Sequence, residues 1–166
     1  MADALLAMRA RYVDMTDDDI PSLRRPENMP PIRTQADLWR HWRAMMGPLG
    51  FSERLLWVLF VDSDGRVTPM VEQFSDLPRL PDRPLVDSLM QICARVCADC
   101  GLDSVAMLLS RPGRAGITSA ERTWAQRLTE AAAPAGVRMW PVHLANDHAL
   151  VTVTPDDLAS PRTAAG

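Results

Sequence analysis

Apolar positions recur along this chain at two spacings, and the switches between them mark its elements. Leu38, Trp39, Trp42, Met45 and Met46 form a stripe at helical spacing over 34–46. Thr34 and Asp37 open that stretch as a capping hydroxyl and a carboxylate three residues on, and Gly47-Pro48 stops it. Residues 55–61 are apolar at every position, which predicts a strand over 54–61 buried on both faces. Asp62-Ser63-Asp64-Gly65 predicts a hairpin turn, with a returning strand over 66–74. Pro78, Pro81 and Pro84 mark a loop, and the last begins a helix over 84–100 that Gly101 ends. A buried strand follows over 104–109, then a glycine-rich loop over 111–116. A second capping box, Thr118 with Glu121, opens a helix to about 133. Two strands, 137–144 and 149–153, close the pattern.

The order helix, strand, strand, helix, strand, helix, strand, strand predicts an α/β fold, a mixed β-sheet flanked by helices. Residues 34–155 form one such domain. Residues 1–33 read differently. A short helix over 2–15 with Leu5, Leu6 and Met8 on one side leads into Asp17, Asp18 and Asp19, then prolines at 21, 26, 30 and 31. That proline density predicts an extended arm over 16–33. Residues 156–166 are polar and predict a flexible tail.

Composition narrows the chemistry. The 166 residues suit a single core, and 47% are hydrophobic, a globular value. All 18 basic residues are Arg, so a phosphate-loop lysine, a Schiff-base lysine and a kinase-type ion pair are excluded. The net charge of −3 argues against nucleic acid as a partner. No apolar run approaches the roughly 20 residues that span a bilayer, so no membrane partner is expected. The three cysteines, odd in number and close together, read as reduced thiols and point to a cytoplasmic location.

From Leu55 to about Val153 the layout resembles the RadC branch of the JAB/MPN superfamily. The shared plan is a strand hairpin, a long helix, a strand, a loop reading His-x-His-Pro-Ser-Gly, and a Ser-x-x-Asp that opens the next helix. Here these correspond to 55–74, 84–100, 104–109, Arg111-Pro112-Gly113-Arg114 and Thr118-Ser119-Ala120-Glu121. About 100 of the 166 residues are covered. The resemblance implies a JAB/MPN-like core, three-layered like that of the cytidine deaminases. It also implies a zinc site of two histidines, an aspartate and an upstream glutamate. In this chain the histidine positions hold Leu109 and Arg111, the aspartate position Glu121, and Glu72 stands where the glutamate would. Leucine has no lone pair and a guanidinium repels a cation, so hydrolysis does not carry over. The expectation is a non-catalytic interaction or scaffold module with no cofactor and a protein partner, a homodimer being one form.

Other constellations carry competing readings. Arg111, Gly113, Arg114 and Gly116 precede a helix N-terminus, which outlines an anion or partner site that Glu121, and across the cleft Glu72, would border. That favours an alternative, an enzyme or ligand-binding protein using an Arg-lined anion cleft. His143, Asp147 and His148 lie within six residues and are the candidates for a metal-dependent hydrolase with rewired ligands. Against it, nothing aims the two rings at one point. Cys93, Cys97 and Cys100 have a cluster-like spacing but fall on one stripe of a helix, as packing residues do. Ser110 lacks the glycines of a nucleophile elbow.

Overall fold

The computed structural model describes residues 20–25 and 28–159. The helix expected over 2–15, the start of the arm and the end of the tail lie outside them. Among the described residues the elements are α1 (Gln35–Met46), β1 (Leu55–Val61), β2 (Val67–Phe74), α2 (Arg83–Cys100), β3 (Ser104–Ser110), α3 (Ser119–Ala132), β4 (His143–Ala145), β5 (Leu150–Thr152) and α4 (Pro155–Ala159).

The strands form one mixed sheet in the order β2-β1-β3-β4-β5. β1 runs antiparallel to both β2 and β3, β4 is parallel to β3, and β5 is antiparallel to β4. β3 is central and buried at all seven positions. Alternation along β1 and β3 feeds two cores. Leu56, Val58 and Phe60 with Val105, Met107 and Leu109 face α2 and α3, which contribute Leu89, Met90, Trp124 and Leu128. Leu59, Val61, Ala106 and Leu108 face the other way, onto Leu38 and Trp42 of α1. The sheet therefore carries helices on both faces, because β1 and β3 are each apolar on both.

The expected caps are present. Thr34 and Asp37 exchange hydrogen bonds at the start of α1, and Thr118 and Glu121 do so at α3. α2 begins one residue before Pro84, on Asp82, whose carboxylate accepts from the Leu85 amide at 2.8 Å. Gly101 ends it in the left-handed region.

Two stretches differ from expectation, and a third resolves one. The strand expected over 137–144 is broken. Met139 makes an isolated bridge to Val105, and pairing resumes at His143. Between them stands Pro141, which has no amide to give a ladder. The start of the expected tail is helical: residues 155–159 form α4, where Asp157 accepts from the Thr154 amide and hydroxyl, both at 2.7 Å. Leu158 packs on the larger core. The end of the arm is docked. Ile32 is buried, its amide donates to the Gly65 carbonyl at 2.7 Å, and His41 Nε2 donates to the Pro30 carbonyl at 2.8 Å.

That docking constrains the hairpin turn. Gly65 has φ +80°, and a Cβ there would stand 2.6 Å from the Ile32 carbonyl oxygen. Both the backbone angle and the contact exclude a side chain. Gly65→Ala is expected to cost on the order of 2 kcal/mol, read as a drop in the chemical-denaturation midpoint at unchanged slope. An unchanged midpoint would mean that the arm does not pack on the turn.

Candidate functional site

β3 ends where the parallel strand β4 also ends, and the loop from Arg111 leads from there to the start of α3. A cavity of about 160 Å³ opens at this point, lined by Leu109, Ser110, Arg111, Thr118, Glu121 and Trp124, with Arg54 and Arg79 also on its lining. Three of the four positions that the RadC-like plan assigns to its metal site thus border one cleft. Glu72 is not with them. It is exposed on the edge strand β2, in register with Val58, and does not line the cavity.

Arg111 faces inward. Its Nε donates to Glu121 Oε1 at 2.5 Å and its Nη2 to Glu121 Oε2 at 3.3 Å. Nη2 also donates to the carbonyls of Ala115 at 2.7 Å and Gly116 at 2.9 Å, and Nη1 to that of Pro112 at 3.2 Å. The two side chains are 14% and 11% exposed. Glu121 Oε2 accepts in addition from the amide and hydroxyl of Thr118, at 2.8 and 3.1 Å. One carboxylate therefore caps α3 and neutralises Arg111, and one guanidinium folds the 111–116 loop around itself.

The loop is also tied to the β4–β5 connection. Asp147 accepts from the Gly113 amide at 2.7 Å and from the Phe51 amide at 2.8 Å. Those two amides, with Arg114 and then Arg111 nearby, hold the Asp147 carboxyl below the usual carboxylate range. Asn146 donates to the Ala115 carbonyl at 2.8 Å and accepts from the amides of His148 and Ala149. The groups read as an anion site from Arg111, Gly113 and Gly116 thus have partners within the chain. The Gly113 amide and the Arg111 guanidinium are satisfied by the chain's own carboxylates, and Gly116 presents a carbonyl to Arg111. Arg114 is exposed and does not line the cavity.

The metal candidates do not converge. His143 is fully buried; its Nδ1 donates to the Pro141 carbonyl at 3.0 Å and its Nε2 accepts from the Thr152 hydroxyl at 2.9 Å. Asp147 is engaged as described, and His148 is exposed. Burial pushes His143 down to about 4, so the ring is neutral near pH 7. Ser110 is fully buried and accepts from the Trp57 indole at 2.9 Å. Along α2 the cysteine stripe runs from Cys93 in the core to Cys100 in solvent. Burial pushes the Cys93 thiol up to about 12, as suits packing rather than ligation.

Arg54 and Arg79 were missed from the sequence. Arg54 precedes β1 and donates to the Pro78 carbonyl at 3.3 Å, an oxygen that also accepts from the Trp124 indole at 3.3 Å. Arg79 makes no hydrogen bond or ion pair among the described residues. A lone Arg before a strand and another within a proline loop carry no local signal; only the fold brings them to the cavity beside the start of α3.

Burial decides which ion pair matters. Removing one partner of a buried pair costs about 3–5 kcal/mol, whereas an exposed pair contributes about 1 or less. Arg111→Ala is therefore expected to cost about 3 kcal/mol in denaturant unfolding. A double-mutant cycle with Glu121→Gln should give a far larger coupling than one across Arg138 and Asp103, which are 78% and 39% exposed. Equal couplings would remove Arg111 as the loop's organiser. For His143 the folded value lies below the unfolded 6.5, so its stabilisation is complete above that pH and declines as pH falls toward 4. The loss is on the order of 3 kcal/mol. His143→Gln should flatten the stability profile between pH 6.5 and 4, and parallel profiles would show that His143 does not titrate there.

No known protein-family model matches this chain and no curated protein matches it, so the reading of the cleft rests on its geometry.

Proposed function

We propose that the chain is a non-catalytic, JAB/MPN-like interaction module that self-associates. The observation that carries this reading is the Arg111–Glu121 pair at the end of β3. A catalytic zinc site needs ligands with lone pairs and one open coordination position. At the corresponding places stand an apolar side chain, a guanidinium and a carboxylate that this guanidinium neutralises. Arg111 has no lone pair to give and cannot be deprotonated near neutral pH. It keeps the loop in place and supplies no chemistry.

The β2 edge supports the interaction half. β2 is the outer strand, and Pro69 to Gln73 are exposed on both faces, with the apolar side chains of Met70 and Val71 at 37% each. An open edge offers unpaired backbone donors and acceptors to another strand. The chain has no lysine to blunt that edge, only Pro69 and Glu72. The opposite edge, β5, is three residues long. A second copy pairing β2 with β2 about a two-fold axis would satisfy both edges at once.

Light scattering over a wide concentration range tests the reading, with metal analysis of the same sample. The expected result is a concentration-dependent dimer with no stoichiometric zinc, returned to monomer by Val71→Lys. A strict monomer would overturn the self-associating module, and one zinc per chain would overturn its non-catalytic character.

A further inference from the structure

We propose that the cavity beside α3 is a binding site for a single doubly charged oxyanion group of the phosphate monoester class, gripped by Arg79 and Arg54. This inference goes beyond the interaction module and does not rest on it.

The charge at the cavity is unevenly spent. Three guanidiniums line it, those of Arg54, Arg79 and Arg111, against the one carboxylate of Glu121. Arg111 and Glu121 cancel each other through two hydrogen bonds. Glu121 therefore does not repel an incoming anion as an isolated acid would. What remains is the positive charge of Arg54 and Arg79, in a chain whose net charge is −3. Arg54 spends one donor on the Pro78 carbonyl, and a guanidinium has five. Arg79 spends none among the described residues.

The cavity's walls suit such a group. Ser119 and Ala120 line it, and as the first residues of α3 their amides have no intrahelical acceptor by position. The Ser119 hydroxyl adds a further donor. Two arginines, two amides and a hydroxyl match an anion with several acceptor oxygens, and two uncancelled positive charges favour a dianion over a monocarboxylate. Volume sets the size of the guest. Pockets for whole cofactors or drug-sized ligands occupy roughly 300–1,000 Å³, whereas this one holds about 160 Å³. It takes one charged group, not a nucleotide. The loop carrying Arg79 is positioned from behind, since the Pro78 carbonyl takes both the Trp124 indole and Arg54.

The test is a thermal-shift and calorimetric titration of the full chain with inorganic phosphate, against sodium chloride and sodium acetate at matched ionic strength. Phosphate is expected to raise Tm saturably, beyond both controls. Arg79→Ala should weaken phosphate about ten-fold, the worth of one charge-assisted hydrogen bond, and the Arg54→Ala/Arg79→Ala pair should abolish the shift. Both variants are at or near the surface, and their Tm in chloride reports that they remain folded. Arg114→Ala, outside the cavity, should bind phosphate as the parent does. The proposal is overturned if phosphate shifts Tm no more than chloride does, or if acetate does as well as phosphate. It is also overturned if the double variant still binds, or if Arg114→Ala is the substitution that removes binding.

Discussion

The guanidinium of Arg111 stands where three pieces of the fold meet, and the cleft depends on how that one charge is satisfied. It leaves the end of the central strand β3, takes the carbonyls of Pro112, Ala115 and Gly116, and closes on Glu121 in the first turn of α3. A six-residue loop with two glycines has little hydrophobic surface of its own to hold it. Here it is wound around a cation, and the same carboxylate that neutralises this cation caps the helix that follows. Withdrawing either partner leaves the other charged and partly buried, the costly outcome for such pairs. Asp147 and Asn146 repeat the device from the other side, tying the loop to the β4–β5 connection through backbone groups.

Much of the fold was legible in the sequence because its information is local. Unbroken apolar runs at 55–61 and 105–109 read as buried strands, and helices do lie on both faces of the sheet. Thr34 with Asp37 and Thr118 with Glu121 read as capping boxes and are so. The misreadings have local causes too. Pro141 interrupts a stretch rich in apolar residues, and its missing amide outweighs the pattern of Val137, Met139, Val142 and Leu144 around it. Whether the end of the arm wraps onto the domain was not legible, because prolines leave no periodicity to read. What docks it is the burial of Ile32 and two hydrogen bonds, to Gly65 and His41, that no spacing announces.

The cleft was legible in its residues but not in their pairings. Arg111 and Glu121 line it and Gly113 lies in the adjoining loop, yet Arg111 and Gly113 were read as donors for an outside anion. A sequence shows which groups a loop holds, not which will find each other. Arg111 and Glu121 are ten residues apart, and Gly113 and Asp147 thirty-four, so neither pair follows from helix or strand geometry. The arginines left without an internal carboxylate, Arg54 and Arg79, come from segments with no motif at all. Arg54 reaches the cavity through sheet order, because β1 lies beside β3 and brings its own start next to the end of that strand, and Arg79 comes with the loop whose Pro78 carbonyl accepts from Arg54 and Trp124.

A fixed guanidinium and a metal ion are both cations, and the difference between them bears on what such a cleft can do. A zinc ion accepts electron pairs, keeps a coordination position open and acidifies the water that fills it. A guanidinium only donates, along directions set by its plane, and every donor Arg111 spends on a carbonyl or on Glu121 is withdrawn from a guest. Under the proposed resemblance, Arg111 therefore preserves the shape of the loop while ending its hydrolytic chemistry. It leaves the cavity itself open. Since Arg111 and Glu121 neutralise each other, the sign of that cavity is decided by the other charged residues on its lining, Arg54 and Arg79. Recognition there needs only the unspent donors of Arg54, Arg79 and the first turn of α3, and none of these need form a bond to a metal or take up a proton to hold an anion.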